Sequence, residues 1–185
     1  AIEDNSQNHS WNGADNSAVQ ALRDAAAGWL DVAPPPAGAF ATALLDEPLP
    51  ILRRVGIHLL NTHWTTLRGV YIERLSVILS SEHLHEAFEL LKNRFGDMTR
   101  PERDATLAFI EQAPEFKDDD GERARKRWQR RWLSAIVDTG DAAAVALDEK
   151  LKGEGIGLPA HPSFRSYSET RVGPGPSPYS VEELC

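Results

Sequence analysis

Apolar residues recur at helical spacing along most of the chain, and the clearest run lies between residues 64 and 79. Its members are separated by three or four positions, which places them on one face of an α-helix with 3.6 residues per turn. Other apolar residues of the run lie outside that face, so we expect neighbours to cover this helix on more than one side. We predict that the residues of the face lie in the main core: Trp64, Leu67, Tyr71, Leu75 and Ile78.

The same spacing predicts further helices, at about residues 15–32, 37–45, 48–62, 82–95, 101–112, 122–138 and 142–153. No segment shows a convincing alternation of apolar and polar residues, so strands are not expected. The apolar stripes of four of these helices are Ala18, Leu22, Ala25 and Trp29; Leu84, Ala87, Phe88, Leu91 and Phe95; Ala105, Ala108, Phe109 and Gln112; and Ala124, Trp128, Trp132, Ala135 and Ile136.

Residues that start and stop helices fall between these segments. Thr99 and Glu102 are predicted to form a capping box, in which each side chain bonds the backbone amide of the other residue. Ser81 and Asp141 are predicted N-caps of the helices that follow them. Pro34 begins a run of prolines that must end the first helix, because proline has no amide donor and restricts the residue before it.

The order and size of the helices predict an all-α fold of antiparallel pairs. The pairs begin near residues 48, 82 and 122, a spacing of roughly 34 to 40 residues that is typical of helical solenoids. We predict that they stack as a short HEAT-like solenoid, and an irregular helical bundle is the alternative. The predicted domains are a polar N-terminal segment at 1–13, a helical repeat-like domain at 14–153 and an extended tail at 154–185.

Glycine and proline interrupt the tail too often for a regular helix. Phe164 and Tyr167 are nevertheless too apolar for a solvated linker, so we expect both to pack against the helices. Ser180 and Glu183 form a further predicted capping box, yet the sequence stops at Cys185. A helix start without a helix, together with a first residue other than methionine, leads us to expect a segment of a longer polypeptide.

Composition narrows the classes of protein that remain. The net charge of −8 argues against general affinity for nucleic acid. Cys185 is the only cysteine, which excludes a disulfide framework and a cysteine-based zinc site within this sequence. No stretch approaches the roughly 18 apolar residues that a membrane span needs, and no signal-peptide pattern opens the chain. We expect a cytoplasmic location and no membrane partner.

One predicted helix is basic although the chain as a whole is acidic. Basic residues and tryptophans are interleaved there between residues 123 and 132. Trp128 and Trp132 are expected to face the core, while the basic side chains project mostly to the other, exposed side. This basic side can bind a protein partner or pair with the acidic residues at 118–122, and binding of nucleic-acid phosphates is the alternative. The candidate partner-binding residues are Arg123, Lys126, Arg127 and Arg130.

The sequence does not predict catalysis or metal binding. His83 and His85 are two residues apart and would point about 200° apart on a helix; we expect both in water near a helix N-terminus. His58 and His63 would diverge by about 140°. HExxH, nucleophile-elbow and phosphate-loop motifs are absent from the sequence. We therefore predict no catalytic, cofactor-binding or metal-binding residue and no cofactor.

Several stretches together carry a resemblance to a known class of proteins. They are the paired helices at 48–114 with Phe95-Gly96-Asp97-Met98-Thr99, then Arg127-Trp128-Gln129-Arg130-Arg131-Trp132-Leu133, and in the tail His161-Pro162-Ser163-Phe164 and Gly175-Pro176-Ser177-Pro178-Tyr179-Ser180-Val181-Glu182-Glu183-Leu184. The chain resembles the helical-repeat region of large bacterial multidomain defence proteins. In these, an effector or nucleotide-hydrolysing domain of the signal-transduction ATPase or sirtuin type precedes a long α-solenoid. The resemblance implies a region that senses a partner or supports oligomerisation, and it transfers no active-site residue.

Two hypotheses for the function follow. The first is a non-enzymatic α-helical scaffold or protein-interaction segment of a larger bacterial protein, whose partner is another protein or a neighbouring domain of the same polypeptide. The second is a nucleic-acid-binding helical module that uses the basic helix from Arg123 to Arg131. Phosphate binding should weaken steeply as salt rises, whereas docking in an apolar groove should not. An enzyme would require a concave pocket with convergent titratable groups.

Overall fold

The computed structural model describes residues 13–32, 35–114, 116 and 121–164, with side chains from residue 17 onward. These residues fold into nine α-helices without a strand, which confirms the all-α prediction for this part of the chain. The predicted segment 1–13 lies almost wholly outside the described residues, as do residues 165–185 of the tail. The helices are α1 (Gly13–Leu30), α2 (Ala37–Asp46), α3 (Pro50–Thr62), α4 (Trp64–Glu73), α5 (Leu75–Ile78), α6 (Leu84–Arg94), α7 (Arg100–Gln112), α8 (Gly121–Leu133) and α9 (Ala142–Gly153).

Helix α3 lies at the centre of the helical body, where it contacts α1, α2, α4 and α6. These neighbours leave no exposed surface on Val55, Leu59 or Leu60. Gly56 allows α2 to approach closely, because a Cβ added there would lie 3.2 Å from the side chain of Leu45. Burial of apolar surface around α3 therefore stabilises the packing of its neighbours on it.

The most apolar segment lies in the main core, as predicted. The single helix expected there is in fact two, because the backbone turns at Arg74 between α4 and α5. The Arg74 guanidinium donates to the Asp46 carboxylate at 2.7 and 3.0 Å, and this hydrogen bond lowers the pKa of Asp46. The break leaves the buried face continuous. All five predicted core residues are at most 8% exposed: Trp64, Leu67, Tyr71, Leu75 and Ile78.

The apolar stripe predicted for α1 is wrong. Leu22 and Trp29 are each 39% exposed, whereas Ala26 and Leu30 are buried. Helix α1 carries apolar residues on two adjacent stripes, and α3 packs against the one that includes Ala26 and Leu30. Helical spacing identifies both stripes but does not decide which of them meets the core. Trp29 instead contacts Phe40 of α2 edge to face, with ring centroids 5.0 Å apart.

The face predicted for α7 is also wrong. Ala108 and Gln112 are exposed, and the buried residues of this helix are Thr106, Leu107 and Ile110. A buried threonine needs a hydrogen-bond partner for its hydroxyl, so the spacing of apolar residues does not predict its position in the core. The structure supplies such a partner from α4, since the Tyr71 hydroxyl lies 2.9 Å from that of Thr106.

Most of the predicted helix caps are present. The Glu102 carboxylate accepts from the backbone amide and the hydroxyl of Thr99, at 2.6 and 2.8 Å. Asp141 accepts from the amides of Ala143 and Ala144 at the start of α9. Ser81 is not the cap that precedes α6, because it belongs to a short 3₁₀ turn, Ser81–His83. The hydroxyl of Ser80 caps that turn, and α6 begins after it.

The apolar stripe predicted for α6 is confirmed, because Leu84, Ala87, Phe88 and Leu91 are all buried. Contacts between neighbouring helices include α3 with α4, α3 with α6, α7 with α8 and α8 with α9. Within the described part of the chain, no helix is both long and apolar enough to cross a membrane.

Candidate partner-binding groove

Helix α8 has a buried side, as the sequence predicts, but only part of its basic side is exposed. Trp132 and Leu133 are at most 1% exposed, and Trp128 is half-buried beside Phe109 of α7, with ring centroids 6.3 Å apart. The helix ends at Leu133, earlier than the predicted residue 138, and the following turn buries Ala135 and Ile136. The tryptophan side therefore fixes α8 on the helical body.

A groove runs along the flank of α8 that adjoins Trp128. Arg123, Arg127 and Arg131 line it together with Trp128, and its volume is about 780 Å³. Residues four positions apart on a helix are neighbours on its surface, so the three guanidinium groups form one row. Arg123 and Arg127 are exposed and Arg131 is half-buried. We call this surface the arginine groove.

The tail provides the opposite wall of the arginine groove, through Gly155, Gly157, Leu158 and Pro159. Gly155 has a φ of 75°, a left-handed conformation that favours glycine. This turn directs the chain back over the helices instead of extending α9.

Two packing contacts hold the tail in this position. Ile156 is 5% exposed and belongs to the core cluster. Phe164 stacks on His85 of α6, with ring centroids 4.6 Å apart and an interplanar angle of 15°. The expected packing of Phe164 against the helices is therefore confirmed. The same expectation for Tyr167 falls outside the described residues.

Arg130 does not lie on the exposed surface, and this part of the prediction is wrong. Its side chain is 12% exposed and its Nε donates to Asp148 of α9 at 3.0 Å. The same guanidinium donates to the backbone carbonyl of Ile156. Arg130 therefore joins α8 to α9 and to the start of the tail. Helix spacing alone does not show which flank of the basic side α9 covers, and α9 covers the flank of Arg130.

Lys126 lies on the same flank and is only partly exposed. Its ammonium group binds Glu154 at 2.9 Å and Glu122 at 3.4 Å. The hydrogen bond to Glu154 is the largest cause of the raised pKa of Lys126, and the same bond lowers the pKa of Glu154. The predicted pairing of the basic helix with residues just before it is thus present for Glu122, while residues 117–120 lie outside the described residues.

The four candidate residues consequently divide into two sets. Arg123 and Arg127 line the arginine groove, whereas Lys126 and Arg130 belong to the contact with α9. Arg131 belongs to the groove but was not among the four candidates. Its signal in the sequence is its position four residues after Arg127, which continues the row.

His83 is not in water, contrary to expectation. It is 0% exposed, and neither ring nitrogen has a hydrogen-bond partner within the described residues. Burial lowers its pKa, which keeps the imidazole neutral at pH 7. His85 is half-buried beneath Phe164. His83 ends the 3₁₀ turn before α6, where a regular helix start was predicted, whereas His85 lies within α6 itself.

Within residues that the structure describes, no group of three or more histidine, cysteine, aspartate or glutamate side chains could hold a metal ion. No family model, curated protein or solved structure matches the chain. The arginine groove therefore has to be interpreted from its own chemistry. Guanidinium groups donate in a planar fork that fits carboxylates and phosphates, and a neighbouring aromatic side chain adds apolar contact.

Proposed function

We propose that this chain is a non-enzymatic helical scaffold that binds an acidic segment of a protein partner, or of a neighbouring domain, in the arginine groove. The observation that carries the proposal is the row of Arg123, Arg127 and Arg131 along one wall of a groove in an otherwise acidic protein. A local row of like charges inside a concave surface concentrates oppositely charged ligands there. The helices around the groove act as a rigid support.

The resemblance to helical repeats of bacterial defence proteins supports a role of the same kind. We propose a short HEAT-like solenoid that serves as the sensor or oligomerisation region of a larger cytoplasmic protein. Contact between α3 and α6, the first helices of two successive predicted pairs, is consistent with stacked pairs. The sequence of the complete polypeptide tests this proposal. A sensor region of the defence type requires an effector or nucleotide-hydrolysing domain in the same polypeptide.

Nucleic acid is the alternative ligand. The observation that favours it is the position of Trp128 next to the arginine row. Aromatic side chains stack on bases, and arginines bind phosphates. The net charge of −8 opposes this alternative, because the long-range field of the chain repels a polyanion with many charges more strongly than a short acidic peptide.

Fluorescence anisotropy with labelled ligands tests the proposal. The ligands are a short peptide of alternating glutamate and serine, the same peptide with glutamine for glutamate, and single-stranded oligothymidylate. The groove variant replaces Arg123, Arg127 and Arg131 with glutamine. The control variant replaces Lys92, Arg100 and Lys152, three exposed cations that do not line the groove.

We expect the glutamate peptide to bind the wild type and the control variant at least about tenfold more tightly than the groove variant. The glutamine peptide should bind none of them measurably. Equal binding to the groove and control variants would exclude the arginine groove as the site. Tighter, groove-dependent binding of oligothymidylate, with a steep salt dependence, would establish the alternative.

A further inference from the structure

A second depression, lined mainly by apolar surface, lies next to the arginine groove. This depression has a volume of about 460 Å³, and Leu79, Phe109 and Pro114 contribute apolar walls. Ser81 and Trp128 line both depressions. The two depressions therefore adjoin at Trp128, and we treat them as one channel with a basic half and an apolar half. We call the second half the apolar pocket.

The spacing of the arginines fits an extended peptide. Successive arginines are four residues apart on α8, which corresponds to a rise of about 6 Å along the helix axis. In an extended peptide, side chains on one face recur every second residue, or about every 6.6 Å. Carboxylates at alternate positions of a peptide strand can therefore meet successive arginines without a change in the direction of the strand.

The apolar pocket favours a ligand that has a large apolar side chain in addition to its negative charges. Phe109 and Trp128 are half-buried, so their ring surfaces are only partly covered by the protein itself. A leucine- or phenylalanine-sized side chain that entered the pocket would remove apolar surface from water on both partners. A ligand with carboxylates only would leave this half of the channel unfilled.

We propose that the channel binds an extended peptide segment in which acidic residues at alternate positions are followed or preceded by a large apolar side chain. The carboxylates lie along Arg123, Arg127 and Arg131, and the apolar side chain occupies the pocket beyond Trp128. This proposal rests on the proposed function and names the class of ligand that the groove selects.

Peptides test it more sharply than mutations do, because changing the ligand cannot unfold the protein. The acidic peptide alternates glutamate and serine. The anchored peptide has the same residues extended at one end by phenylalanine and leucine, and a second anchored peptide carries them at the other end. A neutral anchored peptide has glutamine in place of glutamate. Anisotropy is measured with the full chain at low and at moderate salt.

One anchored peptide should bind at least about fivefold more tightly than the acidic peptide, and only the peptide with the anchor at the matching end should show this gain. The gain should persist at moderate salt, because salt screens the contacts of exposed charges but not apolar contacts. The neutral anchored peptide should bind much more weakly than its acidic counterpart, since the arginine row then has no carboxylates to bind.

A variant that fills the pocket provides an independent measurement. Ser76 is exposed and lines the apolar pocket, so Ser76→Phe should occupy part of that space without removing a core side chain. We expect this variant to bind the acidic peptide as the wild type does and to lose the gain of the anchored peptide. Thermal melts establish that the variant is folded before its binding is compared.

The outcomes separate this proposal from the proposed function. If all acidic peptides bind equally and Ser76→Phe has no effect, the arginine groove remains a site for acidic ligands but the two-part ligand is wrong. If no acidic peptide binds, or if the groove variant binds them as the wild type does, both proposals fail. If oligothymidylate binds more tightly than either anchored peptide, the channel selects nucleic acid and the peptide class is wrong.

Discussion

The hydroxyl groups of Tyr71 and Thr106 lie 2.9 Å apart in the core and join α4 to α7. Both residues are 0% exposed. The Thr106 hydroxyl donates at 2.8 Å to the carbonyl of Glu102 in its own helix, so it accepts from the Tyr71 hydroxyl. Burial raises the pKa of Tyr71, and the phenol therefore remains a donor across the usual range of pH. A buried polar pair thus fixes the position of α7 relative to the most apolar helix.

The first prediction concerns this pair. Tyr71→Phe should lower the free energy of unfolding by about 0.5–1.5 kcal/mol, because it removes one hydrogen bond and little volume. Thr106→Val should cost a similar amount, and the double variant should cost less than the sum of the two, since both changes remove the same bond. Urea denaturation of the four proteins measures these values. Strict additivity would show that the bond contributes nothing to stability.

The contrast between α4 and α7 shows what the sequence predicts and what it does not. The residues from Trp64 to Ile78 include one stripe with large side chains at every helical position, so the buried face could be predicted. In α7 the buried face includes Thr106, whose burial depends on a partner 35 residues away in sequence. A polar residue with a distant partner has no apolar signal of its own, and the apparent stripe of Ala105 and Ala108 therefore misled the prediction.

The arginine groove, too, could be predicted only in part from the sequence. The row of Arg123 and Arg127 is visible in the sequence because it requires only helix periodicity. The position of the tail, which forms the other wall, depends on burial of Ile156 and stacking of Phe164 on His85. The coverage of Arg130 by α9 likewise depends on how two helices pack. Periodicity within one helix contains no information on either contact.

A second prediction compares two arginines of α8. Arg130→Gln should lower the free energy of unfolding by about 1.5–3 kcal/mol, because it removes charged hydrogen bonds to Asp148 and to the carbonyl of Ile156 at a mostly buried position. Arg123→Gln should change it by less than about 0.5 kcal/mol, since its exposed side chain has no ion pair within the described residues. Urea denaturation checks both. Equal effects of the two substitutions would contradict the different environments found for these residues.

A third prediction concerns the two glycines Gly56 and Gly69. Gly56→Val should lower stability by about 1–3 kcal/mol, because the added atoms press α3 against Leu44 and Leu45 of α2, where even a Cβ would be 3.2–3.3 Å from its neighbours. Gly69→Ala should instead raise stability by up to about 1 kcal/mol, since nothing lies within 4 Å of its added Cβ and alanine favours helix. Thermal and urea denaturation measure both. A stabilising Gly56→Val would show that α2 and α3 do not approach closely.

The last prediction is a loss of stability in mild acid that depends on His83. In the unfolded chain this histidine titrates near its ordinary pKa of 6.5, whereas burial lowers its pKa in the folded protein. Below about pH 6.5 the unfolded chain therefore binds a proton that the folded chain does not, and the free energy of unfolding must fall as the pH falls. Around the ring, Glu82 and Glu86 favour the charged form, while Arg53 and Arg54 of α3 oppose it.

His83→Leu tests this prediction because it replaces the titrating imidazole with an apolar side chain of similar size. Between about pH 7.5 and about pH 5.5, the wild type should lose up to about 1.4 kcal/mol more stability than the variant. The difference between the two proteins cancels the contribution of groups that titrate in both, including Glu102, whose pKa the hydrogen bond from Arg68 lowers. Urea denaturation at both pH values gives the four free energies. If both proteins lost the same free energy of unfolding, His83 would bind its proton as readily in the folded as in the unfolded chain. The interpretation of His83 as a buried, neutral imidazole would then be wrong.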